Sequence, residues 1–212
     1  MTESREAMNN RILTLFLLVG VVFSGAALGP KLSGYRLPGN QQGYEPQQPI
    51  AFSHRLHAGE LQISCVYCHS GAENGRHAGI PATSVCMNCH KSVTASFGSL
   101  RDNPKAVSAE LRKLFDSYGL DDNLKRDAAK AKPIPWVRVH NLPDFAYFDH
   151  RAHVNVGVAC QKCHGPVESM ERVRQVESLS MGWCVNCHRD ANVHGVAGKK
   201  VHASLDCAAC HY

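Results

Sequence analysis

Residues 65–69 have the sequence Cys-Val-Tyr-Cys-His, in which two cysteines are separated by two residues and a histidine directly follows the second cysteine. The same spacing recurs in four further segments, at 86–90, 160–164, 184–188 and 207–211. These five segments contain all 10 cysteines of the 212-residue chain. The chemistry of the chain therefore depends on a unit of two thiols and one imidazole that is used five times.

This unit is typical of covalent haem attachment. Two thiols two residues apart can each form a thioether with one porphyrin, and the adjacent imidazole can then bind the iron from one side. We therefore predict five covalently attached haem c groups. The predicted thioether cysteines are Cys65, Cys68, Cys86, Cys89, Cys160, Cys163, Cys184, Cys187, Cys207 and Cys210. The predicted proximal iron ligands are His69, His90, His164, His188 and His211.

Other uses of paired cysteines explain the pattern less well. A structural zinc site takes four ligands, so five units of three ligands each would leave some ligands unused. Such a site also does not require histidine directly after the second cysteine. A thioredoxin-type redox pair occurs once, at a helix start in a βαβ unit. Disulfides would use the ten cysteines but would give the five histidines no role.

Composition limits both the architecture and the partners. Only 7% of the residues are aromatic, so side chains alone would build a small core and the porphyrins would supply much of it. We predict a multihaem c-type cytochrome, mainly short α-helices and loops wrapped around covalent haems, with one N-terminal transmembrane helix. The formal net charge of +5 comes without a clustered lysine and arginine stripe, which argues against nucleic-acid binding.

An uncharged apolar run of 18 residues, Ile12 to Gly29, is long enough to cross a bilayer as a helix. We predict a cytoplasmic N-terminus over 1–11 and a transmembrane anchor over 12–29. The alternative is a signal peptide removed near Ser24-Gly25-Ala26. Because haem is attached to this motif outside the cytoplasmic (inner) membrane, we expect the haem domain on the periplasmic side, held to the lipid bilayer by a single-pass anchor.

Part of the remaining sequence is repeated. Phe52-Ser53-His54-Arg55-Leu56-His57 is echoed by Phe148-Asp149-His150-Arg151-Ala152-His153. Each copy leads into a pair of C-x-x-C-H motifs, and the fifth motif follows the second pair. Such self-similarity indicates one structural unit used twice. The predicted organisation is an extended strap over 30–51, a dihaem half over 52–104, a helical linker over 105–139 and a trihaem half over 140–212.

Each iron also needs a distal ligand, which histidines outside the motifs can provide. In the pattern His-x-x-His, one helical turn separates two imidazoles, so the two can serve neighbouring haems. A further histidine lies in a constrained, apolar-flanked segment, and one histidine and one methionine are reserve candidates. The predicted distal ligands are His54, His57, His140, His150 and His153, and the reserves are His77 and Met181.

The supply of ligands favours electron transfer over catalysis. An iron with protein ligands on both faces changes little in geometry on reduction and has no open position for a substrate. The sequence also contains no persuasive catalytic constellation. We therefore expect an electron-transfer subunit that is not an enzyme by itself.

Three longer motifs resemble a known family. They are IPATSVCMNCH at 80–90, PWVRVHNLPDF at 135–145 and MGWCVNCH at 181–188. Together they make nearly the whole chain similar to the membrane-anchored pentahaem cytochrome c subunit of alternative complex III. The Phe-x-His-x-x-His segment before a motif also resembles the small class III cytochromes c.

This resemblance implies a subunit of a respiratory or photosynthetic quinol-oxidising complex with mainly bis-histidine haems. Its partners would be an iron–sulfur subunit, which supplies the electrons, and large integral membrane subunits, which bind the quinol. The electrons would pass to a monohaem cytochrome c or another terminal acceptor.

Two other functions stay open. One is a membrane-anchored multihaem quinol dehydrogenase that feeds a periplasmic reductase. Such proteins tend to carry methionine two residues after the first motif, whereas Ser70-Gly71 follow His69 in this chain. The other is a multihaem reductase, which would require one iron with a free or displaceable distal position.

The first prediction concerns the mass of the purified chain. Thioether bonds survive denaturation, so mass spectrometry of the intact protein should show the polypeptide mass increased by five haem groups. A mass equal to that of the bare chain, or bound zinc in place of iron, would rule out the haem interpretation.

Overall fold

The computed structural model describes residues 2–33 and 41–211. The chain divides into two compact units, Met1–Pro38 and Gly39–Tyr212. In its described part, the first unit is helix α1, Thr2–Ser33. The segment Arg11–Leu28 of this helix is long and apolar enough to cross a membrane, and none of it is buried, as expected of an anchor or of a signal sequence.

The predicted strap is only partly extended. Helix α1 continues beyond Gly29 to Ser33, so the first four residues assigned to the strap are helical. Residues 34–40 lie outside the described residues, and 41–51 contain turns and extended backbone. This last segment is held by backbone hydrogen bonds, because the Gly43 N–H donates to the Gln175 carbonyl at 2.7 Å.

The second unit consists of short helices joined by irregular segments. Its α-helices are α2 (Cys65–Cys68), α3 (Gly71–Asn74), α4 (Thr83–His90), α5 (Phe97–Asp102), α6 (Ala109–Tyr118), α7 (His150–Val156), α8 (Gln161–His164) and α9 (Met181–His194). A π-helical turn spans Arg55–Glu60, and 3₁₀ turns span Ala128–Lys130, Val167–Ser169 and Cys207–Ala209. In the described ranges, β-structure is confined to three isolated bridges, which confirms the prediction of a helical and loop-rich fold.

Helix α6 forms the centre of a small side-chain core. It begins after Ser108, whose hydroxyl accepts a hydrogen bond from an N–H of the first turn. Leu114 and Phe115 point inward from this helix, and Phe115 is 0% exposed. They pack against Ile50 and Met87. The core thus joins the start of the second unit to the helix that carries the second C-x-x-C-H motif.

The predicted helical linker over 105–139 is helical only in part. Helix α6 and the turn Ala128–Lys130 account for most of its regular structure, and 131–139 contain none. Pro133 and Pro135 explain this, because proline lacks the N–H that a helix interior needs.

The two copies of the repeat dock on each other reciprocally. The Arg55 N–H donates to the Met170 carbonyl at 2.9 Å, and the Arg151 N–H donates to the Gly75 carbonyl at 3.2 Å. The two arginines occupy the same place in the repeat, and the two acceptors each lie six residues after a motif histidine. Each ligand-bearing segment therefore rests on the loop behind the first motif of the opposite half, as in an isologous interface.

The same correspondence continues four residues further along each copy. The Asn155 side-chain amide donates to the Glu73 carbonyl at 3.2 Å, where α7 packs on α3. At the equivalent position of the first copy, the backbone of Gly59 lies against the Glu168 carbonyl oxygen. Glycine is required there, because a Cβ atom would occupy the space of that oxygen.

Replacing Gly59 with alanine should weaken this docking. A Cβ atom would overlap with the Glu168 carbonyl oxygen, which belongs to the backbone and cannot rotate away. Overpacking of this kind costs about 1–3 kcal/mol, so the thermal unfolding midpoint of the haem-loaded protein should fall. Gly98→Ala in α5 is a matched control, because a Cβ atom there meets nothing within 4 Å. Equal midpoints for the two variants would contradict the docking.

Candidate haem sites

Each C-x-x-C-H motif lies on or beside a helical turn. The first coincides with α2, the second and fourth lie within α4 and α9, and the third and fifth lie on α8 and the turn Cys207–Ala209. Residues three apart share one side of a helix, so both thiols of a motif can face one porphyrin. No two of the ten cysteines are joined in a disulfide. Among the described residues, no cluster of three or more His, Cys, Asp or Glu side chains is arranged to hold a metal ion.

Four of the five motif histidines face a histidine of the repeat at closely similar distances. The pairs, with the separation of their ring centroids, are His54 with His69 (6.5 Å), His57 with His90 (6.1 Å), His150 with His164 (6.2 Å) and His153 with His188 (6.0 Å). In both halves, the first histidine of His-x-x-His faces the first motif and the second histidine faces the second motif.

This spacing fits one metal ion between two imidazoles. A metal–imidazole bond is about 2.1 Å long and the ring centroid lies about 1.1 Å behind the bonding nitrogen, so two rings on opposite sides of one ion have centroids about 6.4 Å apart. The four separations lie close to this value. The thiols and imidazoles of these four motifs therefore fit a covalently attached haem with a histidine on each face.

Backbone carbonyls fix the tautomer of most of these imidazoles. Nδ1 of His69 lies 2.7 Å from the Gly79 oxygen, and Nδ1 of His150 lies 2.9 Å from the Arg76 oxygen. Because a carbonyl oxygen can only accept, Nδ1 carries the proton and the lone pair of Nε2 is left for a metal ion. The same contact is made by His57, His90, His153 and His188 with the oxygens of Ser53, Val93, Asp149 and Ser204, respectively.

The phenylalanine at the start of each repeat orients both of its imidazoles. Phe52 stacks on His57 with ring centroids 4.3 Å apart and meets His54 edge-on at 4.9 Å. Phe148 makes the same two contacts in the second copy, at 4.6 and 4.8 Å. The equivalent phenylalanines thus hold the equivalent ligand pairs by the same geometry.

Burial keeps His54 and His164 uncharged. Burial, with smaller effects of neighbouring imidazoles, lowers the pKa of His54 to about 4 and that of His164 to about 3. The neutral imidazole is the form that binds a metal ion. Burial likewise raises the pKa of the Cys163 thiol to about 11.

His140 lies beside the third motif. Its ring meets that of His164 edge-on with centroids 4.4 Å apart, and burial lowers the pKa of His140 to about 4. Its Nε2 is buried and has no hydrogen-bond partner. In the part of the chain that the structure describes, its ring contact is therefore with the third motif, and its role as a distal ligand stays a prediction.

The fifth motif is held differently from the other four. Nδ1 of His211 lies 3.3 Å from the Phe145 oxygen, and the two rings stack with centroids 5.8 Å apart. Ala146 forms a β-bridge with His211, and the Tyr147 N–H donates to the Cys210 carbonyl at 2.7 Å. The segment that leads into α7 therefore positions this motif.

The two reserve ligands stay predictions. His77 is exposed, and Met181, at the start of α9, is 65% exposed.

Two kinds of positioning group were not predicted from the sequence. Phe52 and Phe148 belong to the repeat that the sequence displays, so their equivalence was a signal that could have been used. The carbonyl oxygens of residues such as Arg76 and Gly79 carry no sequence signal, because every residue provides one.

A comparison with known families decides the class of the protein. A family model described as cytochrome c7 and related cytochrome c matches residues 50–111 and 146–212, which together make up more than half of the chain. The chain belongs to this cytochrome family. The matched ranges contain both copies of the repeat and all five motifs, so this is a multihaem electron-transfer cytochrome with covalently bound haem c.

A more specific relative comes from Nitratidesulfovibrio vulgaris and is named menaquinone reductase, multiheme cytochrome c subunit. It is 26% identical over 187 residues, which cover 79% of this chain and 78% of the relative. The relative is thus a cytochrome subunit within a quinone-linked enzyme, which agrees with an electron-transfer rather than a catalytic role for this cytochrome.

His150→Ala should convert one haem from low spin to high spin, because it removes the imidazole opposite His164 while leaving the thioethers intact. Mass spectrometry should still find all haems attached, and the optical and EPR spectra should gain a high-spin signal. His194→Ala is the control, since that exposed side chain pairs with Asp190 on the same helix and should leave the spectra unchanged. An unchanged low-spin spectrum in His150→Ala would exclude His150 as a ligand.

Proposed function

We propose that this cytochrome is the pentahaem electron-transfer subunit of a membrane-bound quinol-oxidising complex of the alternative complex III type. The observation that carries the proposal is the set of four imidazole pairs spaced for one iron each. In this proposal, the fifth motif binds a fifth haem through His211, and the chain relays electrons without transforming a substrate.

The paired imidazoles favour a relay over an enzyme. A haem iron with imidazole on both faces has no open position, so a substrate molecule cannot bind to it. The ligands are also held rigidly by carbonyl contacts and by Phe52 and Phe148, which keeps the geometry the same in both oxidation states. Small rearrangement on reduction is what fast electron transfer requires.

The partners are inferred from the resemblance and the relative together. The relative's name places it in a complex that acts on menaquinone. We propose that this chain assembles with an iron–sulfur subunit and large integral membrane subunits that hold the quinol site, and that a monohaem cytochrome c or another terminal acceptor takes the electrons. The apolar helix Arg11–Leu28 would anchor it in the cytoplasmic membrane, with the haem domain on the periplasmic side.

A second candidate function is electron delivery in the opposite direction, toward quinone. The name of the relative, a menaquinone reductase subunit, favours it. A row of bis-histidine haems conducts in both directions, so the potentials of the partners decide the direction.

Purification of the full-length chain from detergent-solubilised membranes tests the proposal. The chain should co-purify with an iron–sulfur subunit and with large integral membrane proteins, and added menaquinol should reduce its haems. Reduction of added menaquinone by a reduced donor, without haem reduction by menaquinol, would instead support the second candidate. A chain that isolates alone, with neither kind of partner, would contradict both.

A further inference from the structure

We propose that the five haem sites, numbered by their motifs along the chain, lie in space in the order second, first, third, fourth, fifth. This inference rests on the proposed five-haem function and adds the route that the electrons follow. The order is carried by contacts within each half, between the halves, and around the fifth motif.

Within each half, the two sites are neighbours. His54 and His57 lie three residues apart and face the first and second motifs, at 6.5 and 6.1 Å respectively. One helical turn advances about 5.4 Å, so two irons bound to this turn cannot be far apart. His150 and His153 place the third and fourth sites side by side in the same way.

Between the halves, the first and third sites face each other. The N–H and the Nδ1 of His150, a predicted ligand of the third site, both lie within hydrogen-bond distance of the Arg76 carbonyl, at 3.3 and 2.9 Å. Arg76 belongs to the loop behind the first motif. In the opposite direction, the N–H of Arg55 donates to the Met170 carbonyl. Arg55 directly follows His54, the predicted ligand of the first site, and Met170 belongs to the loop behind the third motif. Both docking contacts therefore involve the first motif of a half, which leaves the second and fourth sites on the outside.

The fifth site extends the row beyond the fourth. Nδ1 of His188, in the fourth motif, lies 2.6 Å from the Ser204 carbonyl oxygen, three residues before Cys207. One turn further along α9, Asn192 donates to the Ala203 carbonyl at 2.9 Å and accepts from the Ala203 N–H at 2.7 Å. The segment that enters the fifth motif therefore runs along the helix that carries the fourth.

This order makes the second and fifth sites the two ends of the row. An electron that enters at one end must pass the first, third and fourth sites to leave at the other. The end sites each have one neighbouring haem, whereas the first, third and fourth sites each have two. The spatial order thus differs from the order of the motifs along the chain, in which the first site would be an end.

A matched pair of variants distinguishes the two orders in solution. His54→Met and His57→Met each place a thioether opposite one motif, which raises the potential of that site so that it is reduced earlier. A site that is reduced before its neighbours has already lost one positive charge. The neighbouring haems are then harder to reduce, so their midpoint potentials fall. In a spectropotentiometric titration of the haem-loaded protein, His54→Met should shift two other midpoints and His57→Met should shift one. The reverse result would overturn the proposal.

Iron positions provide an independent measurement that does not depend on the variants. Anomalous scattering at the iron edge, from crystals of the full-length haem-loaded protein, locates each iron, and its thioethers assign it to a motif. The first iron should lie between the second and third, and the fourth between the third and fifth. Five irons in another order would overturn the inference and leave the proposed function standing, whereas fewer than five irons would contradict the proposed function itself.

Discussion

The rest of the structure depends on pairs of imidazoles held 6.0 to 6.5 Å apart by segments that are distant in sequence. Side-chain packing alone could not maintain this arrangement, because the core of the second unit is small and centred on Leu114 and Phe115 of α6. Hydrogen bonds from Nδ1 to backbone carbonyls and the stacked Phe52 and Phe148 orient the rings locally. An iron bound by both rings of a pair would then join the distant segments, so that the cofactors and their ligands supply cohesion that other proteins obtain from apolar side chains.

The repeat reproduces the site geometry although its two copies differ in sequence and in helix type. The first ligand pair lies at a π-helical turn and the second on α7, yet each phenylalanine meets one imidazole edge-on and stacks on the other. Ser53 and Asp149, at the same place in the repeat, each accept a hydrogen bond from an N–H of the following turn. What the two copies share is therefore the side chains that touch the imidazoles and the cap that starts the turn.

The sequence allowed the motifs, the paired ligands and the helical, loop-rich architecture to be predicted, because these depend on residue type and short spacing. It could not assign each repeat histidine to a motif, because that assignment depends on how the chain folds within each half. It also could not show how the two halves dock. The docking uses backbone carbonyls such as those of Gly75 and Met170, which any residue could provide. His140 illustrates the limit of counting: a lone histidine outside the repeat had no partner to identify it, and its ring contact is with His164.

Reciprocal docking of a duplicated unit has a consequence for electron flow. Each half rests on the loop behind the leading motif of the other half. The first and third sites therefore meet at the centre of the proposed row, and the second and fourth sites lie on its outer sides. Duplication alone would give a row of four sites with two equivalent ends. The fifth motif lies against α9 and the segment that leads into α7, and therefore extends one end only. The proposed row thus has two chemically different ends, which is what a relay needs if it is to exchange electrons with two different partners.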